Sequence, residues 1–291
     1  MKTIVINECK NLRRIKMFAF RNLPNLKTLI ITNNPNLVTL EPHAMGSLRN
    51  LNYLSLSMNN LKTIDGYVFS SSTSIKRISF IGNPIRTIKS HAFHGLKNVT
   101  DLLISLNQNV APIKKIEGDA FISLAFVDQI FLDGIPSQSL ATNTFRGLSY
   151  CKTIHLSNTY IEHIGANAFF RANHIENLNL INSRIRSLHK DAFSSMFKIG
   201  TIDLSGNYIT KLDKGTFEQL IHLEDVNSLD GPNLINKSSI LLINERNRNQ
   251  EKSGKLIQSF SLFFLVDIKF EFFIKLKRFF WSKTQFNATV K

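Results

Sequence analysis

Along the first three quarters of the chain, apolar residues recur on a schedule rather than in blocks. LKTLIITNNPNLVTL, LNYLSLSMNNLKTI, IKRISFIGNPIRTI, CKTIHLSNTYIEHI, IENLNLINSRIRSL and IGTIDLSGNYITKL share the pattern LxxLxLxxNxLxxL. Units begin at Met1, Leu26, Leu51, Ile75, Val99, Val127, Cys151, Ile175 and Ile199, at spacings of 24 or 25 residues except for one of 28, and a broken tenth starts at Leu223. Self-similarity at a fixed period of this length predicts a solenoid. The fourth and sixth residues of each unit point to one side of a short strand, the third, fifth and seventh to the other. Leu54 and Leu56, or Ile202 and Leu204, are therefore predicted inside. One unit cannot bury its apolar side alone, so the strands should pair in parallel and stack into a continuous core.

The back half of each unit repeats too, as EPHAMGSL, DGYVFSSS, KSHAFHGL, EGDAFISL, GANAFFRA, HKDAFSSM and DKGTFEQL. Its recurring aromatics, Phe20, Phe69, Phe93, Phe121, Phe145, Phe169, Phe193 and Phe217, should fill the space behind the strands, as core and not as a cofactor box. Asn34, Asn59, Asn83, Asn107 and Asn207 close the strand segment, where an amide can bond backbone groups in the turn leaving the sheet. Cys9, Thr159 and Ser183 are expected to substitute more weakly, whereas Ile135, followed by Pro136, cannot.

The chain thus resembles the leucine-rich repeat family, specifically its 24-residue class with an A/T-F-x-x-L convex segment, common in extracellular and cell-surface receptors. The resemblance covers residues 1 to about 224. It implies an α/β fold: a leucine-rich repeat horseshoe with a parallel concave β-sheet, about nine repeats and an irregular C-terminal tail. The expected divisions are 1–222 for the solenoid, 223–255 for the broken tenth repeat and polar linker, and 256–291 for a Phe- and Lys-rich tail.

The 28-residue spacing comes from four extra residues in NQNVAP, between Asn107 and Ile113, so the core register should resume at Ile113 and Ile116. A loop carrying Gln108 and Asn109 is expected at the rim of the concave face. That face should present Ile30, Tyr53, Arg77, Ile81, Leu103, Phe131, Asp133 and His155 over its first seven units, and Asn177, Asn179 and Asp203 beyond them. Aromatic and Arg residues among small polar ones are the make-up of a protein-binding hot spot. Scattered surface apolars also occur without any partner.

Composition changes this picture in three respects. The formal charge of +15 favours anionic partners. Lys and Arg read as dispersed, however, without the aromatic interleaving of single-stranded nucleic-acid binders, so no nucleic-acid partner is predicted. Only two cysteines occur, Cys9 and Cys151, too far apart along the solenoid for a disulfide and expected to be buried structural thiols. His91 and His94 fall on the convex segment as solvated surface residues, and Cys151 and His155 should face opposite sides of a strand, which rules them out as a catalytic pair. With no Gly-rich phosphate loop, HExxH, CxxC or GxSxG motif, neither an enzyme nor a cofactor or metal site is predicted.

The ends carry less information. The run Ile4–Ile6 is too short for a signal-peptide core, and no Cys-rich cap flanks the repeats. The uncharged run from Leu256 to Val266 is about half of a membrane span. Asp267, Glu271, Lys275 and Arg278 share a helical face, fitting an interfacial amphipathic helix over 256–281, while Phe264–Phe272 alternates like a strand. A third reading takes the tail as translation past an exon boundary and the chain as part of a longer product with its membrane segment elsewhere; as given, the chain is expected to be monomeric. N-x-S/T sequons stand at Asn98, Asn236 and Asn287, Asn98 being placed in a loop just before a strand. The leading expectation is a protein-binding ectodomain from a secreted or cell-surface glycoprotein receptor, loosely similar to glycoprotein-hormone-receptor ectodomains. The alternative is an intracellular, cytoplasmic scaffold.

Overall fold

The computed structural model describes residues 1–105, 113–134, 139–196 and 198–210, together with Leu212, 215–217, Leu220, Leu223 and Asp225–Asn227. Asn107, Gln108, Asn109, the Ile135–Pro136 turn, the sequons at Asn236 and Asn287 and the tail from residue 256 lie outside the described residues.

Ten strands form one sheet in strict chain order. They are β1 Thr3–Asn7, β2 Thr28–Thr32, β3 Tyr53–Ser55, β4 Arg77–Ser79, β5 Asn98–Ser105, β6 Phe126–Leu132, β7 Tyr150–His155, β8 His174–Asn179, β9 Lys198–Asp203 and β10 Asp225–Asn227. Every neighbouring pair is parallel, and the fourth position of each unit faces the fourth position of the next. Ile4 is opposite Leu29, followed in turn by Leu54, Ile78, Leu102, Ile130, Ile154, Leu178, Ile202 and Val226. The four-residue insertion leaves that alignment untouched. It is followed by one local slip in pairing, between Phe131 and Leu132.

Behind the main sheet, two-residue strands form short parallel sheets, such as Thr63–Ile64 with Thr87–Ile88 and Lys115–Ile116. The convex segments are turns, and no helix forms among the described residues. The fold is the expected solenoid, closed at its back by turns because each A/T-F-x-x-L segment is too short to repay helix nucleation.

The Phe series is buried. Its rings stack from one unit to the next at 6.4 Å for Phe69 and Phe93, then 5.1, 5.0, 5.1, 5.4 and 5.9 Å as far as Phe217. Met45 holds the equivalent buried place between Phe20 and Phe69, a flexible thioether where the other units use a ring.

The Asn ladder forms as expected. Asn83 Nδ2 donates to the carbonyls of Leu56 in the preceding unit and Phe80 in its own, both at 2.7 Å, and its Oδ1 accepts from the Leu61 amide at 3.1 Å. Asn34, Asn59 and Asn207 repeat the arrangement. Ser183 Oγ reaches the Leu156 carbonyl at 2.6 Å, and Cys9 Sγ makes only a 3.5 Å contact to the Asn7 carbonyl. Thr159 departs from expectation: it is buried, but its hydroxyl has no hydrogen-bond partner. The acceptor one unit back would be the Leu132 carbonyl, beside the slip in register.

On the convex corner, the amide of one unit donates to the equivalent carbonyl of the next through Phe18, His43, Tyr67, His91, Asp119, Asn143 and Asn167. All seven have φ between 53° and 63°, the left-handed region. The first four positions carry rings there; Tyr67 stacks on His91 at 5.0 Å and meets His94 edge-on at 5.2 Å. His91 and His94 are thus half-buried against Tyr67, not solvated as the sequence predicts. Cys9 is likewise exposed and not buried, its Sγ making only the 3.5 Å contact to the Asn7 carbonyl, whereas Cys151 is buried. Asn98 is not in a loop either; it is the exposed first residue of β5.

The ladder yields a pair of opposite outcomes. Asn83→Ala removes one of two donors from each of the Leu56 and Phe80 carbonyls, leaves the buried Leu61 amide without its acceptor, and should cost about 2–3 kcal/mol. Thr159→Val removes an unanswered buried hydroxyl and should be neutral or stabilising by about 1 kcal/mol. Urea unfolding of the two variants measures both; a clear loss of stability in Thr159→Val would show that its hydroxyl is satisfied.

Candidate binding face

Because register is fixed, residues at equivalent outward positions form columns across the sheet. The third-position column runs Thr28, Tyr53, Arg77, Asp101, Gln129, Thr153, Asn177, Thr201. The fifth-position column runs Ile30, Ser55, Ser79, Leu103, Phe131, His155, Asn179, Asp203. Two of the predicted groups become neighbours in this way. Leu103, Phe131 and His155 are consecutive in the fifth column, and Tyr53, Arg77 and Asp101 are consecutive in the third.

Phe131 and His155 stack face to face, 4.4 Å between centroids and 3° from parallel. The His155 Nε2 is buried without a hydrogen-bond partner, and burial holds the imidazole down at about 4. His155 is therefore a neutral, flat surface at ordinary pH, extending the apolar run of Leu103 and Phe131. Arg77 Nε pairs with Asp101 Oδ2 at 3.0 Å while most of the Arg77 side chain stays in solvent. Tyr53, one strand back, is 37% exposed.

Asp133 flanks this run. Its Oδ1 accepts the Ser157 amide at 2.7 Å. Burial pushes the carboxyl up to about 6, and the bonds from Ser157 only partly offset that rise. Ile30 is not part of the group, since Ser55 and Ser79 separate it from Leu103, and Ile81 is half-buried two residues past β4. Gln108 and Asn109 lie outside the described residues. In the later units the polar groups bond one another: Ser157 Oγ donates to Asn179 Oδ1 at 2.8 Å, and Thr201 Oγ1 donates to Asn177 Oδ1 at 2.8 Å.

One row escapes the motif. Phe126, Tyr150 and His174 stand one residue before the first core position, on strands that begin earlier than LxxLxL indicates. Phe126 is 56% exposed and lies 5.7 Å from the Tyr150 ring, which meets His174 edge-on at 5.1 Å. Tyr150 Oη donates to Glu176, and burial followed by this carboxylate drives the phenol pKa upward. The aromatic residue ahead of each core position was the available signal. Cys151 points into the core, where burial pushes its thiol up, and His155 faces the concave side, so the two do not meet. Among the described residues no cluster of three or more His, Cys, Asp or Glu could hold a metal, and no helix is long and apolar enough to cross a membrane.

The family follows from sequence and fold together. A model of the BspA type leucine rich repeat region, in six copies, matches residues 1–124 and 114–240. The chain belongs to the BspA type leucine-rich repeat family. Two solved structures resemble this BspA type solenoid. A chain of the TLR13–ssRNA13 crystal structure is 24% identical with a TM-score of 0.63, over 78% of this chain and 32% of that one. A chain of the octameric complex of latrophilin 3 (Lec, Olf), Unc5D (Ig, Ig2, TSP1) and FLRT2 (LRR) is 19% identical with a TM-score of 0.54, over 79% and 68% respectively. At such identities the likeness is one of fold, and the chain spans about a third of its TLR13-complex counterpart. No curated protein matches it in sequence.

Asp133 and His155 make the stability of this BspA type solenoid depend on pH with opposite signs. Between pH 3.8 and about 6 the folded protein keeps a proton on Asp133 that the unfolded chain has released, so Asp133 contributes stability on acidification. Between 6.5 and about 4 the unfolded chain protonates its histidine first, so His155 removes stability on acidification. Relative to wild type, Asp133→Asn should therefore lose stability more steeply from pH 6.5 to 4, and His155→Gln less steeply. Urea midpoints across that range decide it; curves parallel to wild type would contradict the burial of both groups.

Proposed function

We propose that this chain is the recognition solenoid of a secreted or cell-surface protein and binds a protein ligand on its concave face, without chemistry. The observation that carries the reading is the unbroken run Leu103, Phe131, His155, with Tyr53 and Arg77 on the adjoining column. A neutral stacked imidazole, a phenyl ring and a leucine offer apolar area, and the tyrosine and arginine beside them are residue types that anchor hot spots. Ile30, Ile81 and Asp133 serve as the periphery of that contact.

The FLRT2 complex supports the reading, since the assembly named there joins a leucine-rich repeat protein to other proteins. The TLR13 structure is a complex with single-stranded RNA, so the expectation that nucleic acid is excluded as a partner is not supported. An intracellular scaffold would use the same face with a cytoplasmic partner. Attachment of a glycan to Asn98 in the native product separates the two, since an unmodified, reduced cytosolic protein would remove the extracellular reading.

The test screens the full chain against a panel of cell-surface ectodomains and repeats each positive with Leu103→Ser/Phe131→Ser. The double variant, shown to be folded by circular dichroism, should weaken binding at least about tenfold, as loss of a central anchor does. A specific ligand whose affinity is unchanged by it would place the interface elsewhere.

A further inference from the structure

The basic residues that look dispersed in the sequence are partly gathered by the fold. Lys62, Arg86 and Lys114 each stand one residue ahead of the short strands Thr63–Ile64, Thr87–Ile88 and Lys115–Ile116. The Arg86 amide donates to the Lys62 carbonyl at 2.8 Å, and the Lys114 amide to the Arg86 carbonyl at 2.8 Å. Backbone bonding thus fixes the three cations as one row on successive turns, about 4.8 Å apart at the backbone. All three are exposed.

The nearby acids are already taken. Asp65 is paired with Lys89 at 2.5 Å and Glu117 with Lys115 at 3.4 Å, and among the described residues Lys62, Arg86 and Lys114 form no ion pair. Farther along the solenoid the same row carries Glu162 and Arg186, paired at 3.5 Å, so the uncompensated stretch is local. Like charges held opposite one another on neighbouring strands destabilise a sheet, and a bound line of negative charge reverses that cost.

The chemistry around the row narrows the ligand. Along the chain, the described residues flanking the row at the surface are Asn60 and Pro84 before it and, after it, Thr87, Lys115 and Thr63, whose hydroxyl donates to Asp65. None offers a ring on which a base could stack, the feature that single-stranded nucleic-acid sites add to their positive charge. Small hydroxyl and amide groups beside evenly spaced cations suit a saccharide chain bearing repeated anionic groups. We propose that Lys62, Arg86 and Lys114 form a binding row for a sulfated polysaccharide, laid across the turns on a flank separate from the concave protein-binding face.

The experiment measures binding of a heparin octasaccharide and of a uridylate homopolymer to the full chain across a salt series. Two triple variants remove the same charge: K62Q/R86Q/K114Q from the row, and K27Q/K152Q/K190Q from scattered exposed positions. Matching thermal transitions show that each is folded, and single variants K62Q and K114Q replace the first triple if it folds poorly. The row variant should weaken heparin binding about tenfold or more and lower the dependence of log affinity on log salt by roughly 2 to 3. The scattered variant should change it by no more than about threefold. Equal losses in the two triples would reduce the effect to net charge and overturn the row. Absence of heparin binding would overturn the proposal outright, and tighter binding of the uridylate polymer through the same three residues would overturn the ligand class.

Discussion

The structure depends on one constraint: a single turn cannot cover its own apolar side, so each unit must lie on the next with equivalent positions in register. The fourth core position faces its counterpart without exception from Ile4 to Val226, across unit lengths that differ by up to four residues. The Phe stack and the Asn ladder are consequences of that stacking. Phe145 packs between Phe121 and Phe169 because those are the rings one turn away on either side, and Asn83 finds the Leu56 carbonyl because it lies one turn back. Stability of this kind is approximately a sum of units and nearest-neighbour interfaces, so a fault stays near its origin. The slip after Phe131 illustrates this: Thr159, one turn on, has a hydroxyl without a partner, yet Ser183 in the following turn is fully served.

The same register acts on the surface. A repeat converts sequence positions a unit apart into spatial neighbours, so every outward position becomes a column with its own chemistry. Leu103, Phe131 and His155 form an apolar run because nothing inside the core restricts their identity; the same column turns to Asn179 and Asp203 a few turns later. Inward positions admit almost no such variation. A recognition surface can therefore be composed residue by residue on a core that does not change.

This explains which features were legible in the sequence. Strand positions, the inward Leu and Ile residues, the Phe series and most of the ladder follow from one unit's pattern, because every unit repeats the reason for them. What was missed depends on how one turn's variation meets another's. Cys9 occupies a ladder position, yet it is exposed and its thiol reaches only the Asn7 carbonyl. His91 and His94 look like solvated surface residues until Tyr67, a full turn away, supplies the ring that covers them. The Phe126, Tyr150 and His174 row begins ahead of the motif's first letter. The stacking of Phe131 on His155 required both the column and the rotamers, of which alternation supplies only the first.

The convex corner shows how far the backbone can dictate and how the side chains respond. The turn-to-turn hydrogen bonds running from Phe18 through Asn167 hold each corner residue at positive φ whatever its side chain. Asp119, Asn143 and Asn167 accept this cheaply, since short polar side chains tolerate the left-handed region. Phe18, His43, Tyr67 and His91 do not, and each carries a penalty of about 1–2 kcal/mol. Their rings meet across turns, as Phe18 with His43 at 5.6 Å and Tyr67 with His91 at 5.0 Å, and a good aromatic contact returns about 0.5–1.5 kcal/mol. The early turns thus offset part of the imposed backbone strain by stacking rings, and the later turns avoid it with Asn and Asp. The four aromatic corners form two couples, Phe18 with His43 and Tyr67 with His91, each meeting across one turn-to-turn hydrogen bond.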